Sequence, residues 1–230
     1  MTNKLYAVVP AAGIGARMQA DRPKQYLALG SQTILEHTLT RLLDFSAFQS
    51  VMVPIAKHDT FFSQFSVSKN AKIKTCAGGC ERFESVLNGL NALLEQGANK
   101  DDWVMVHDVA RPCITQADLG LLFKSRNDQG SILGVQVRDT MKRTDEQGKI
   151  LTTVERDQLW HALTPQLAPL GLLKDCIEQC VENGKSITDE ASALEFCGYH
   201  PKMVAGHPSN IKVTRPEDLI MAQAFIQEIK

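Results

Sequence analysis

Short apolar runs alternate with longer amphipathic segments along the chain, and this alternation restricts the fold more than any other feature. Five runs have the character of buried strands. They lie at residues 5–9, 51–55, 73–77, 103–106 and 131–137. The segments between them carry leucines and valines at helical spacing, as in 82–94. Alternation of this kind predicts an α/β fold with a mostly parallel sheet and helices on both faces.

Three sequence patterns indicate where helices begin. Thr33 with Glu36 forms a capping box before the first helix, and Thr115 is the N-cap of a later one. Thr214 with Glu217, with Pro216 between them, predicts the start of the last helix.

The alternation breaks after residue 137. Two polar strand-like segments, 140–144 and 150–156, flank the turn 145–148 and predict a two-stranded ribbon. An isolated ribbon is marginally stable, so it needs a surface to pack on, and a partner subunit is one candidate. We expect a single domain over 1–230, with this ribbon as an excursion at about 138–157.

Composition excludes several classes of protein. The net charge of -1 argues against a general nucleic-acid binder, which would carry a basic surplus. No apolar run approaches the roughly 20 residues of a membrane span. The chain opens Met1-Thr2-Asn3-Lys4 and enters a strand pattern at once, so we expect no signal peptide. We therefore expect a cytoplasmic protein with reduced cysteines.

Two cysteine pairs could suggest a metal site, but both have simpler interpretations. Cys176 and Cys180 share the apolar stripe of a helix, which indicates core packing. Cys76 and Cys80 flank two glycines, and their spacing differs from that of common zinc sites.

The loop after the first strand is built for close approach to a ligand. Its small residues are Ala11, Ala12, Gly13 and Gly15, which let backbone N–H groups reach phosphate oxygens. Arg17 and Lys24 add positive charge. A dinucleotide site is excluded because Met18 stands where a third glycine or alanine belongs. A plain strand-to-helix turn remains the alternative for the loop alone.

A resemblance becomes specific when the motifs are taken together. They lie in order at 10–18, 23–26, 78–85, 106–112, 138–140, 160–166, 188–192 and 210–214. Together they resemble the 2-C-methyl-D-erythritol 4-phosphate cytidylyltransferases of the non-mevalonate isoprenoid pathway. The resemblance implies a Rossmann-like nucleotidyltransferase fold. It also implies transfer of CMP from CTP to 2-C-methyl-D-erythritol 4-phosphate, with release of pyrophosphate.

The resemblance implies roles for residues around the nucleotide. Arg17 and Lys24 would hold the triphosphate, and Lys212 would serve the α-phosphate. Asp108 would bind Mg²⁺, the expected cofactor. Further nucleotide contacts are implied at Pro10, Ala11, Ala12, Gly13, Gly15, Gly79, Ser85, Asp108, Ala110 and Arg111.

The resemblance also implies a second-substrate site. Its members would be Thr140, Arg156, Thr164, Thr188 and Lys212. In the family Thr140 and Arg156 lie on the ribbon and reach the neighbouring subunit's site, which implies a homodimer. Thr188 could equally be the N-cap of the helix that follows it.

Two positions depart from the family pattern, and two other functions stay open. Cys80 replaces an often acidic residue, and Val109 replaces a usual alanine. A ribitol-5-phosphate cytidylyltransferase would share the fold and the nucleotide loop. A non-catalytic nucleotide-binding regulator is also conceivable, but it would have no need of Lys24, Asp108 and Lys212 together.

Overall fold

A computed structural model describes residues 3–13, 18 and 22–228 of the chain. The elements are β1 (Leu5–Val8), β2 (Ala28–Leu29), β3 (Gln32–Thr33), α1 (Ile34–Leu43), β4 (Phe48–Ile55), β5 (Ile73–Ala77), α2 (Arg82–Glu95), β6 (Trp103–Val106), α3 (Gln116–Lys124), β7 (Ser131–Gln136), β8 (Met141–Thr144), β9 (Ile150–Val154), β10 (Trp160–Pro169), α4 (Leu170–Glu182), α5 (Glu190–Phe196), β11 (Lys202–Ala205) and α6 (Pro216–Glu228). All five predicted strands form, with ends within three residues of the expected ones.

Seven strands form one central sheet in the order β11-β7-β10-β6-β1-β4-β5. β1 is parallel to β4 and β6, β4 to β5, and β7 to β11. The prediction of a mostly parallel sheet is therefore confirmed. The exception is β10, which runs antiparallel between β6 and β7. The chain returns from the ribbon directly alongside β7, and such a hairpin-like return requires an antiparallel strand.

Helices cover both faces of this sheet, as predicted. Side chains of β1 alternate between the faces: Leu5 and Ala7 pack with α1 and α3, whereas Tyr6 and Val8 pack with α2 and α4. Cys176 and Cys180 are buried on the second face, which confirms their predicted packing role. All six cysteines are free thiols.

Helix N-termini confirm two predicted caps and correct a third. In α1, Glu36 N donates to Thr33 Oγ1 at 3.2 Å and Thr33 N donates to Glu36 Oε2 at 2.9 Å. Thr115 caps α3 by accepting from Asp118 N at 3.0 Å. The α6 prediction named the wrong acid, because Thr214 bonds to Asp218 instead of Glu217. The helix begins at Pro216, so its third residue, where a capping-box acid belongs, is Asp218.

The cap suggested for Thr188 is also wrong. The N-cap of α5 is Asp189, whose Oδ1 accepts from Ser192 N at 3.0 Å. Because α5 begins at Glu190, Thr188 lies one residue too early.

The predicted ribbon forms as a separate two-stranded sheet of β8 and β9. Two apolar residues on it, Ile150 and Leu151, are each 60% exposed.

No helix within residues 3–13 and 22–228 combines the length and the apolar character that crossing a membrane requires.

Candidate active site

A cavity of 270 Å³ lies where β1, β5 and β6 end at their carboxyl termini. In open α/β sheets this edge is the usual place for ligands. The cavity is lined by Pro10, Ala12, Gly13, Lys24, Gln25, Gly79, Cys80, Glu81, Arg82, Ser85, Asp108, Val109, Ala110 and Lys212. We call it the first pocket.

Most residues predicted to bind the nucleotide meet in the first pocket. Arg17 and Gly15 lie outside the described residues. Ala11, between the lining residues Pro10 and Ala12, is buried and does not line the pocket. Its N–H donates to Pro54 O at 2.8 Å and its carbonyl accepts from Gln25 Nε2 at 2.7 Å. Gln25 thus fixes the loop, a role that the sequence did not suggest.

Glycines bring the loop after β5 against the loop after β1. A Cβ at Gly78 would lie within 3.0 Å of the Cβ of Ala12, and one at Gly79 within 3.0 Å of the Cβ of Glu84. The Gly79 N–H donates to Ser85 Oγ at 3.0 Å, and Glu84 Oε2 accepts from Cys80 N at 2.7 Å. The narrow pocket wall therefore depends on small residues and a tightly bonded turn.

Asp108 lines the first pocket and is contacted by three cationic side chains. Lys212 Nζ lies 2.8 Å from Oδ2, and Arg82 Nε lies 2.9 Å from Oδ1. Arg111 Nε is 3.5 Å from Oδ2. Burial alone would raise the pKa of Asp108, but these three cations hold that pKa well below its usual range. The carboxylate is therefore ionised at any physiological pH.

Arg82 has a second carboxylate partner. Its Nη1 lies 2.6 Å from Glu190 Oε1 and its Nη2 lies 3.1 Å from Glu190 Oε2. The Glu190 side chain is 3% exposed. Both residues belong to motifs found in the sequence, but nothing in either motif indicated that they pair.

A second cavity of 210 Å³ adjoins the first, and the two share Arg82, Asp108 and Lys212. We call it the second pocket. Its remaining lining residues are Arg111, Ala162, Leu163, Thr164, Gln166, Thr188 and Asp189. The structure thus brings Thr164, Thr188 and Lys212 together, as expected for the second-substrate site. Arg111, expected beside the nucleotide, lines this pocket instead of the first.

A buried hydrogen-bond relay supports the main chain at Asp108. Arg111 O can only accept, so His107 Nε2 carries the proton of that 3.1 Å bond. His107 Nδ1 therefore accepts from the Thr164 hydroxyl at 3.0 Å, and Thr164 Oγ1 in turn accepts from Asp108 N at 3.0 Å. Burial lowers the pKa of His107 to about 4, which keeps the ring neutral.

Thr140 and Arg156 do not reach the second pocket of their own chain. They line a 330 Å³ cavity on the ribbon together with Thr153, Val154 and Glu155. Arg156 Nη1 donates to Arg138 O at 2.7 Å and lies 3.5 Å from Thr140 Oγ1.

The donor set at Asp108 fits one kind of metal ion. Within the part of the chain that the structure describes, no three His, Cys, Asp or Glu side chains are placed to hold an ion together. Mg²⁺ commonly uses one or two carboxylates, several waters and substrate phosphates. Asp108 therefore suits an ion that arrives with a triphosphate, rather than one held by the protein alone.

The mixed seven-stranded sheet and its lysine- and arginine-lined pockets define a Rossmann-like nucleotidyltransferase. A solved 4-diphosphocytidyl-2C-methyl-D-erythritol synthase superposes with a TM-score of 0.85 at 36% identity, covering 98% of this chain and 100% of the other. The 2-C-methyl-D-erythritol 4-phosphate cytidylyltransferase of Francisella tularensis superposes at 0.82 with 38% identity, covering 96% and 99%.

Sequence comparison gives the family. The model of the 2-C-methyl-D-erythritol 4-phosphate cytidylyltransferase family (IspD) matches residues 5–228, and the chain belongs to this family. A relative of that name from Tolumonas auensis is 51% identical over 96% of each chain. Another, from Haemophilus influenzae strain 86-028NP, is 47% identical over the full length of both.

Proposed function

We propose that the protein transfers CMP from CTP to 2-C-methyl-D-erythritol 4-phosphate. The products are 4-diphosphocytidyl-2-C-methyl-D-erythritol and pyrophosphate, in the non-mevalonate route to isoprenoid precursors. The observation that carries the proposal is the pair of adjoining pockets, which share Arg82, Asp108 and Lys212. Two anionic substrates bound there would meet at these three side chains. Membership of the family supports the choice of substrates.

The chemistry requires positioning more than covalent help. An oxygen of the substrate's phosphate monoester forms a bond to the α-phosphorus of CTP. The bond from that phosphorus to the bridging oxygen of the β-phosphate breaks, and pyrophosphate leaves with the electron pair. The protein must hold two anions in line and stabilise charge on the equatorial oxygens. Lysines and arginines do both.

Lys24 and Lys212 are the described residues best placed for this task. Both line the first pocket. Lys24 Nζ donates to Val213 O at 3.1 Å, and Val213 directly follows Lys212. This bond ties the Lys24 ammonium to the backbone next to Lys212. We assign Arg17 to the triphosphate as well, because it resembles the family's triphosphate-binding arginine.

We propose Mg²⁺ as the cofactor, held by Asp108 together with the triphosphate. When bound, it would neutralise charge on the phosphate oxygens. The cations around Asp108 keep this carboxylate ionised and therefore able to bind a metal.

The cytosine would lie against the small residues of the first pocket. Ala12, Gly79 and Ser85 leave backbone groups accessible to the polar edge of a pyrimidine. The close approach at Gly78 and Gly79 narrows this end of the pocket, which disfavours a larger purine.

We further propose a homodimer of single-domain chains, in which the ribbon at about 138–157 is an arm that completes the neighbour's second pocket. Two features support this. Thr140 and Arg156 lie away from the second pocket of their own chain. Ile150 and Leu151 present apolar surface that a partner could cover.

The six free thiols support a cytoplasmic location.

The activity is tested by pyrophosphate release with CTP and Mg²⁺, with methylerythritol phosphate and ribitol 5-phosphate offered in parallel. We expect turnover with the first substrate only. Turnover confined to ribitol 5-phosphate would overturn the substrate assignment, and turnover with neither would favour a regulator.

Lys24→Ala should lower kcat at least about 10²-fold, the usual cost of losing one preorganised donor in a transition state. The matched control is Lys202→Ala on the edge strand β11, which should leave kcat unchanged. A loss under threefold for Lys24→Ala would exclude the proposed role.

The arm is tested by mixing two inactive variants, Lys24→Ala and Arg156→Ala. A hybrid dimer would contain one site free of both changes, so random exchange should restore about a quarter of wild-type activity. Mixing Lys24→Ala with a Lys24→Ala/Arg156→Ala double variant should restore none. No recovery in the first mixture, with exchange confirmed, would contradict an arm that works across the dimer.

A further inference from the structure

The Arg82 guanidinium joins two carboxylates that lie far apart in the chain. Nη1 and Nη2 pair with both oxygens of Glu190, whereas Nε alone contacts Asp108. Arg82 lines both pockets, so this side chain forms part of the boundary between them. Glu190 lines neither pocket, and its carboxylate meets the site through Arg82.

The backbone that carries Glu190 is firmly anchored. Glu190 is the first residue of α5, directly after the N-cap Asp189. Gln166 on β10 donates to Asp189 Oδ2 at 2.9 Å and accepts from Ala191 N at 2.8 Å. The first turn of α5 is therefore fixed to the central sheet, and Glu190 offers Arg82 a rigid partner.

We infer that Glu190 is a positioning residue for nucleotidyl transfer: it holds Arg82 at the boundary of the two pockets and limits its contact with Asp108 to a single N–H. The inference rests on the proposed function. An arginine fork prefers to pair with a carboxylate through two nitrogens. Glu190 satisfies that preference, so Arg82 contacts only Oδ1 of Asp108 and leaves Oδ2 to Lys212 and Arg111.

Loss of the Glu190 charge should therefore redirect Arg82. The guanidinium of Arg82 would turn toward Asp108 or toward bound phosphate, and the net charge around both pockets would become more positive. Affinity for a metal-free triphosphate should rise, whereas the arrangement needed for transfer should be lost. A purely structural role would weaken binding and turnover together.

A double-mutant cycle tests this on the full-length protein, with Glu190→Gln, Arg82→Met and the double variant. In the wild-type background Glu190→Gln should lower kcat/KM at least about tenfold. It should also tighten CTP binding in EDTA about threefold or more by calorimetry. In the Arg82→Met background it should change either quantity less than about twofold. Glu195→Gln, on the exposed face of α5, is the matched control and should change neither.

Equal effects of Glu190→Gln in both backgrounds, or no effect on either quantity, would overturn the inference. If Glu190→Gln fails to fold, Glu190→Asp, which keeps the charge but shortens the side chain, is tested in the same cycle by kcat/KM alone. It should lower kcat/KM in the wild-type background and change it less than about twofold in the Arg82→Met background. If wild-type protein does not turn over the two substrates, the proposed function fails. The CTP-binding cycle then still decides whether Glu190 acts through Arg82.

Discussion

The ammonium of Lys212 lies 2.8 Å from Oδ2 of Asp108, so the two residues expected to serve the phosphates and the metal are paired with each other. Each compensates the charge of the other at the junction of the two pockets. A bound triphosphate would give Lys212 a new anionic partner. Asp108 would then be available to a cation that accompanies the nucleotide.

This pairing predicts opposite effects of Asp108→Asn on binding and on turnover. Without the carboxylate, Lys212, Arg82 and Arg111 lose an anionic partner and should attract a triphosphate more strongly. CTP binding in EDTA should be retained or tightened, whereas kcat with Mg²⁺ should fall at least about 10²-fold. Calorimetry and pyrophosphate release measure the two effects.

The control for that experiment is Asp128→Asn, which removes the same charge at an exposed residue that lines neither pocket. Metal-free CTP binding that becomes tenfold weaker in Asp108→Asn would contradict the prediction.

Thr164 should matter for stability as well as for the site. Its hydroxyl donates to His107 Nδ1 and accepts from Asp108 N, and it is 3% exposed. Thr164→Val leaves both buried partners unpaired and should lower the free energy of unfolding by about 2 kcal/mol. Thr164→Ser keeps the hydroxyl and should cost under about 1 kcal/mol.

Urea denaturation measures both changes. Thr188→Val alters an exposed threonine that lines the same pocket, and it should leave stability nearly unchanged. A Thr164→Val protein as stable as wild type would show that the relay contributes nothing.

Local features of the fold could be predicted because neighbouring residues determine them. The strand at Trp103–Val106 and the capping box of Thr33 with Glu36 form where the sequence predicts them. The same logic fails by one residue at α6, because the exact helix start decides whether Glu217 or Asp218 is the capping acid. Helix boundaries are the least certain part of such predictions.

Features that depend on strand order were not predictable in this way. Arg82 and Glu190 are separated by 108 positions, and no periodicity in either segment reports their contact. The antiparallel β10 likewise follows from how the chain leaves the ribbon, not from its own pattern. Single motifs indicated Lys24, Asp108 and Lys212, but only the folded chain shows that Lys24 bonds to the carbonyl of Val213 and that Lys212 pairs with Asp108.

Two helical glycines should respond to alanine in opposite ways. Gly89 on α2 faces the sheet, and an added Cβ would lie 2.7 Å from Val8 Cγ1 and 3.1 Å from Pro54 Cγ. Gly89→Ala should destabilise by about 1–3 kcal/mol through overpacking. At Gly120 on α3 nothing lies within 4 Å, so Gly120→Ala should stabilise by up to about 1 kcal/mol. Thermal unfolding of the two variants side by side tests this, and equal shifts in Tm would contradict it.

The last helix should show a pH dependence that originates at Asp218. Partial burial raises the pKa of this residue, but hydrogen bonds from Thr214 and Arg215 together lower the pKa by more, so the net shift is downward. A depressed pKa in the folded state means that the carboxylate stabilises the fold at neutral pH. That contribution is complete above the unfolded pKa of about 3.9 and is lost as the pH falls through the folded value.

Asp218→Asn should therefore cost about 1 kcal/mol at neutral pH, and the difference from wild type should shrink in acid. Glu217→Gln, at the acid that the sequence pattern pointed to, should cost less than about 0.5 kcal/mol at either pH. Urea titrations at both pH values measure these differences, and a Glu217→Gln cost equal to that of Asp218→Asn would contradict the assignment of the cap to Asp218.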